Sequence, residues 1–190
     1  MPYGELTPAM EQALVPHIAG REVWDLGAGD FTYSLRLLEL GAGKVVAVEK
    51  ERSPRHRPPP SITAILAYFK DVEMPESIDV AFVSWPQNTH LPGLVQLLER
   101  AKVAVYLGSN VDNSACGSGA MFTHFRDREV LASIPHRRNS FAIYGSACSP
   151  RPPLPDEWAF GVSNIMGGTT DCPTFDEALA GAAFLAKAML

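Results

Sequence analysis

Short apolar runs alternate with stretches of helical spacing along most of the chain. Glu22–Leu26 (E-V-W-D-L) is a compact strand pattern that ends in glycines. Lys44–Glu49 (K-V-V-A-V-E) is rich in β-branched residues, and Ile78–Ser84 (I-D-V-A-F-V-S) is almost wholly apolar. Weaker or shorter strand patterns occupy 61–68 and 103–107, and two more, 129–134 and 140–144, flank a polar turn over 135–139. Helical spacing marks Pro8–Ile18, 32–40, 91–101 and 120–126. In 32–40, Leu35, Leu38 and the stem of Arg36 give helical spacing, and Gly41 and Gly43 stop the helix. Strands alternating with helices predict an α/β domain, with a mainly parallel sheet covered on both faces. The last strand pair adds an antiparallel element.

Two proline-rich stretches punctuate this order. Residues 53–60 (S-P-R-H-R-P-P-P) form a loop, and 149–155 (S-P-R-P-P-L-P) a stiff linker. The expected organisation is a domain over 1–148 followed by a tail over 149–190. The tail ends in a helix whose apolar stripe, Phe175, Leu179, Ala182, Ala183 and Ala186, packs back on the domain.

Composition narrows the function classes. At 190 residues and 46% hydrophobic, the chain suffices for one full core. No apolar run approaches the ~20 residues of a membrane span, and no secretory signal is read at the N-terminus. Cys116, Cys148 and Cys172 lack zinc or disulfide-framework spacing, and no metal site is expected. A soluble, cytoplasmic protein is the expectation. The net charge of −5 argues against a protein whose main work is gripping naked nucleic acid. Lys50, Arg52, Arg55, His56 and Arg57 cluster, as do His136, Arg137 and Arg138. Each cluster reads as a solvated loop or as a surface for an anionic substrate.

In an open parallel sheet, ligands bind beyond the carboxyl ends of the strands. After the first strand comes Asp25-Leu26-Gly27-Ala28-Gly29-Asp30-Phe31. Its glycines allow a sharp turn and close approach of a ligand. Glu49 closes the second strand, 20 residues beyond Gly29, where a carboxylate can accept from both hydroxyls of a ribose. Asp71, beside Phe69 and Val72, follows the third strand and can accept from an adenine amino group. Alone, Glu49 is equally an ordinary surface acid and Asp71 a turn cap; together, three successive strand ends carry what an adenosine needs. The nicotinamide pattern G-x-G-x-x-G fails at Thr32, and no P-loop motif occurs. Ser109, Ser114 and Ser118 lack a nucleophile elbow, and Cys116 reads as a plain loop cysteine.

On D-L-G-A-G-D, V-V-A-V-E and the run Y-F-K-D-V-E-M-P-E-S-I-D-V-A-F-V-S-W-P, the chain resembles the class I S-adenosylmethionine (SAM)-dependent methyltransferases. The resemblance covers residues 22–144. It implies a Rossmann-like, doubly wound, mainly parallel seven-stranded sheet with an antiparallel closing strand. It also implies SAM as cofactor. Asp25, Gly27 and Gly29 would border its methionine part, with the main chain at Ala28 and Asp30 near its amino and carboxylate groups. Glu49 would hold the ribose, and Asp71 and Val72 the adenine. Phe31 stands where many members have a further glycine. Ser84-Trp85-Pro86-Gln87 is similar to the [DNS]-P-P-[YFW] motif of amino-group methyltransferases, with the first and third positions matching. The implied reaction is methyl transfer to an acceptor, leaning to an amino nitrogen. Ser84, Trp85 and Pro86 would form the transfer site, His90 a candidate base, and Asn88 an orienting group or a helix cap. A small molecule or a protein is favoured as acceptor, with structured RNA open. The competing reading is a non-catalytic methyltransferase-like module acting with a partner; a dinucleotide oxidoreductase ranks last.

Overall fold

The computed structural model describes residues 5–50, 57–86, 91–109, 125, 128–136 and 139–147. In chain order they form helix α1 (Pro8–Ile18), strand β1 (Glu22–Leu26), helix α2 (Thr32–Glu39), β2 (Lys44–Glu49) and β3 (Thr63–Leu66). A short 3-10 turn (Phe69–Asp71) leads to β4 (Ile78–Ser84), α3 (Leu91–Glu99), β5 (Ala101–Ser109), β6 (Arg128–His136) and β7 (Asn139–Ala147). The strands make one seven-stranded sheet in the order β3-β2-β1-β4-β5-β7-β6. β7 runs antiparallel to both its neighbours, β5 and β6, and the remaining pairings are parallel. This is the Rossmann-like α/β fold of class I methyltransferases.

Parallel strands covered on both faces are apolar in consecutive positions, and β1, β2 and β4 follow that rule. One face carries Val23, Val45, Val80, Val105 and Ile143, packed against Met10, Leu14 and Ile18 of α1 and against Tyr33 and Leu37 of α2. The other carries Trp24, Val46, Ala81, Ala104 and Tyr144, packed against Leu94, Leu97 and Leu98 of α3 and against Val72 and Phe125. The Thr7 hydroxyl accepts from Met10 N (3.3 Å) to cap α1, and Pro8 at the first helical position loses no hydrogen bond there.

The predicted helix over 32–40 forms as Thr32–Glu39. Tyr33, Ser34 and Leu37 are buried, whereas Leu35 is 40% exposed. β3 is shorter than its pattern, while β5, β6 and β7 are longer; β6 and β7 stay paired to His136 and Asn139, leaving two residues between them. Of the helix expected over 120–126 only Phe125 is described, and the linker and C-terminal helix lie outside the described residues. Among the described residues, no helix is long and apolar enough to cross a membrane.

α3 crosses the 3-10 turn at very close range. A Cβ on Gly93 would lie 2.5 Å from Lys70 N and 2.7 Å from the Phe69 carbonyl carbon. Only glycine lets the helix sit there. Gly93→Ala improves intrinsic helix propensity by about 1 kcal/mol, but forcing a methyl into backbone costs typically 1–3 kcal/mol or more. The clash is with atoms that cannot swing away, so it wins. Chemical denaturation of Gly93→Ala should show a net loss of about 1–2 kcal/mol. An unchanged midpoint would mean that α3 is not seated on the turn.

Candidate active site

The chain leaves β1 toward β2 on one side and later returns to β4 on the other. A crevice therefore opens at the carboxyl ends of these strands, where such sheets bind ligands. The loop between β1 and α2 forms its floor. Gly27, Gly29 and Phe31 all have positive φ, at 86°, 57° and 64°. Gly27 N and Ala28 N both donate to the Val48 carbonyl, at 2.9 and 3.1 Å. Gly29 N donates to a Glu49 carboxylate oxygen at 2.8 Å. Phe31 N returns to the Ala28 carbonyl (2.9 Å), and Asp30 accepts from Thr32 N at 3.1 Å in a local turn just ahead of α2.

Phe31 shows why glycine suits this position. A left-handed conformation costs a side-chain-bearing residue about 1–2 kcal/mol. The ring is nevertheless only 3% exposed, over Ala28, Ala47 and Ile62. Burial of a Phe gains roughly 1.5–3 kcal/mol, enough to offset the strain. The loop keeps the turn that a glycine would give it.

Asp25 lies at the heart of the site, fully buried in β1 between Ala47 of β2 and Phe82 of β4. One carboxylate oxygen accepts from the Ser34 hydroxyl of α2 at 2.5 Å, and the other has no protein partner. Burial pushes its pKa up to about 7; the Ser34 hydrogen bond opposes the rise, and the Glu49 and Asp30 charges add to it. Tyr33, one residue before Ser34, has its phenol pushed up to about 12 by burial, against a lowering by the Trp85 indole beside it.

A cleft of about 140 Å³ stands above the strand ends, lined by Leu26, Gly27, Glu49, Lys50, Ala67, Tyr68, Phe69, Ser84, Trp85 and Pro86. Five predicted site residues, Gly27, Glu49, Ser84, Trp85 and Pro86, thus come together. Asp25, Ala28 and Asp30 sit in or under the adjoining loop and do not line the cleft. Asp71 is exposed on the 3-10 turn, and Val72 is buried in the core beneath α3. In their place Tyr68 and Phe69 face the cleft, and Phe69 Cζ is 3.8 Å from where a Cβ on Gly27 would be. Tyr68 is 45% exposed, with the Lys70 ammonium 6.0 Å from its ring centre. The usable signal for Tyr68 and Phe69 was their position, two and three residues past the end of β3. Trp85 has φ 52°, and its backbone N–H donates to the Leu107 carbonyl at 2.9 Å, so β4 turns sharply while still held to β5. Gln87, Asn88 and His90 lie outside the described residues. No group of His, Cys, Asp or Glu suited to a metal ion occurs among the described residues.

Solved structures similar to this chain include methyltransferases. A SAM-dependent methyltransferase from Aquifex aeolicus superposes with TM-score 0.55 at 13% identity, over 74% of this chain and 89% of that one. A ribosomal protein L11 methylase from Lactobacillus delbrueckii subsp. bulgaricus gives TM-score 0.56 at 11% identity, over 77% and 81%. A putative RNA methyltransferase from Pyrococcus horikoshii gives 0.52 at 15%, over 73% and 79%. No protein-family model and no curated protein matches the sequence. The likeness therefore establishes the class I methyltransferase fold.

The buried carboxylate makes stability depend on pH in a defined direction. Between the ordinary Asp value near 3.8 and about 7, folded Asp25 holds a proton that the unfolded chain has released. The stabilising proton is fully present below that range and lost as pH rises through it. Asp25→Asn removes the charge at every pH. Its stability relative to wild type should therefore rise by about 2–3 kcal/mol between pH 5 and pH 8. Thermal melts at the two pH values read this difference, which is independent of any constant cost of the amide. A pH-independent effect would mean that Asp25 is not desolvated.

Proposed function

We propose that the protein is a SAM-dependent methyltransferase that acts on an amino nitrogen. The observation that carries the reading is Glu49 at the cleft wall. Its two oxygens each accept one backbone N–H, from Gly29 and from Lys50, at 2.8 and 2.9 Å. An ionised carboxylate has about four acceptor positions, so about two remain for a pair of ribose hydroxyls. The rest of the site fits the same ligand. Gly27 and Gly29 keep side chains out of the loop. Asp30 and Glu49 bias the region toward a cation such as SAM.

When bound, SAM supplies a methyl group already activated by its sulfonium charge. The protein's work is then alignment and exclusion of water. Glu49 holds the sugar, and the aromatic wall of Tyr68 and Phe69 covers the base. Ser84 and the backbone around Trp85 and Pro86 orient the acceptor nitrogen at the end of β4. A neutral amine needs no strong base. A non-catalytic module would be favoured by Phe31 and by the altered Ser84-Trp85-Pro86-Gln87 motif; the loop course at Phe31 weighs against it. Acceptors of the neighbouring structures span RNA and ribosomal protein, and both remain compatible with the fold.

Calorimetric titration with SAM and S-adenosylhomocysteine should show micromolar binding of both and none of NAD. Glu49→Ala should weaken it about tenfold or more, the loss expected when a charged hydrogen-bond acceptor of about 1.5–3 kcal/mol is removed. Failure of the folded wild-type protein to bind either ligand would overturn the proposal.

A further inference from the structure

A second and larger cavity lies on the other side of Tyr33. This groove, of about 420 Å³, runs between the segment leading into α1 and the outer face of α2, lined by Glu5, Leu6, Glu11, Thr32, Tyr33, Leu35, Arg36 and Glu39. α2 follows β1 directly, so its first turn, with Thr32 and Tyr33, brings this groove to the carboxyl edge of the sheet, where the cleft lies. Tyr33 lines the groove and Trp85 lines the cleft, with the phenol and the indole side by side. The two side chains thus link the lining of the groove to the lining of the cleft.

The groove combines two chemistries. Its apolar part is Leu6 and Leu35; Leu35 is 40% exposed on a helix that buries its other face. Its charged part has three carboxylates and one guanidinium. Arg36 holds Glu11 with two bonds (2.6 and 2.8 Å) and Glu39 with a third at 2.8 Å. One positive charge is thus shared between two acids, and Glu5 adds a third. A ligand with phosphates would meet a surplus of negative charge. A neutral one would leave it unanswered, and a polyamine would leave the leucines uncovered.

We propose that this groove docks the methyl acceptor, and that the acceptor is a basic peptide segment carrying lysine or arginine next to an apolar residue. The inference rests on the methyltransferase reading and names its substrate class. The cationic side chains answer Glu5 and Glu39, and the apolar one covers Leu6 and Leu35. The groove ends at Tyr33, whose neighbour Trp85 lines the cleft with Ser84 and Pro86, so a segment docked there lies next to the transfer site.

The test uses the full chain and a fluorescein-labelled octapeptide of alternating lysine and leucine, read by fluorescence anisotropy. The salt is about 0.1 M, where long-range attraction is largely screened. The variant Glu5→Gln/Glu39→Gln removes two groove charges. The control Glu76→Gln/Glu129→Gln removes two exposed charges elsewhere. The proposal expects peptide binding by wild type and control alike. The groove variant should bind about fivefold more weakly, as two exposed pairs of roughly 0.5 kcal/mol each would give. Calorimetry should show its SAM affinity unchanged. Equal weakening by both variants, no peptide binding by wild type, or preferential binding of polyuridylate or spermine would each overturn it. If wild type takes the peptide in the groove but not SAM, the methyltransferase reading and the acceptor role fall together. If it takes SAM but not the peptide, only the groove assignment falls.

Discussion

A carboxylate without access to water is held at the centre of a β-sheet, and the geometry of the cleft depends on holding it. Asp25 is flanked in register by Ala47 and Phe82, residues too apolar to solvate it. Among the described residues its one hydrogen-bond partner is Ser34, and that bond fixes the rotation of α2 about its own axis. Once α2 is so turned, Tyr33 packs against Phe82 with ring centres 5.5 Å apart, and Leu37 enters the core. The β1–α2 loop must then cover the distance in five residues, through backbone shapes that glycine adopts freely and Phe31 adopts because its ring is buried. A buried carboxylate of this kind costs stability, which is how groups at functional sites commonly differ from the rest of a core.

The same constraint explains which parts of the fold were legible in the sequence. β1, β2 and β4 could be read to the residue, because strands buried on both faces are continuous apolar runs with few competing patterns. α2 could be placed but not oriented. Helical spacing counts leucines, and here a serine–aspartate bond and a tyrosine decide which side faces the sheet, leaving Leu35 outside. β3 was overextended, since neither an edge strand nor the 3-10 turn after it carries a strong periodic signal.

Within the site, the residues that could be read were those fixed by the topology. Gly27, Glu49 and Ser84 to Pro86 sit at strand ends, and strand ends follow from strand patterns. Asp71 drew attention by its chemistry, yet the 3-10 turn points it to solvent and gives the wall to Tyr68 and Phe69. Position relative to the end of β3 was the better guide than residue type. The groove between α1 and α2 could not be read at all, because it is built from the outer faces of two helices whose rotation had to be known first.

The helix on the opposite face ties distant parts of the molecule together. α3 rests on the backbone of Phe69 at Gly93, and its last turn is gripped by Arg128, which donates to the Leu98 carbonyl at 2.6 Å and to the carbonyls of Ala101 and Gly145 at 3.2 Å. It behaves as a rod clamped at one end with the cleft wall leaning on the other. A small tilt at the Arg128 clamp would move Phe69 toward or away from Gly27. Residues at the far rim of the sheet, with no chemistry of their own, therefore set the width of the slot in which a ligand would lie, and their freedom to vary is limited by a fit made at the other end of the helix.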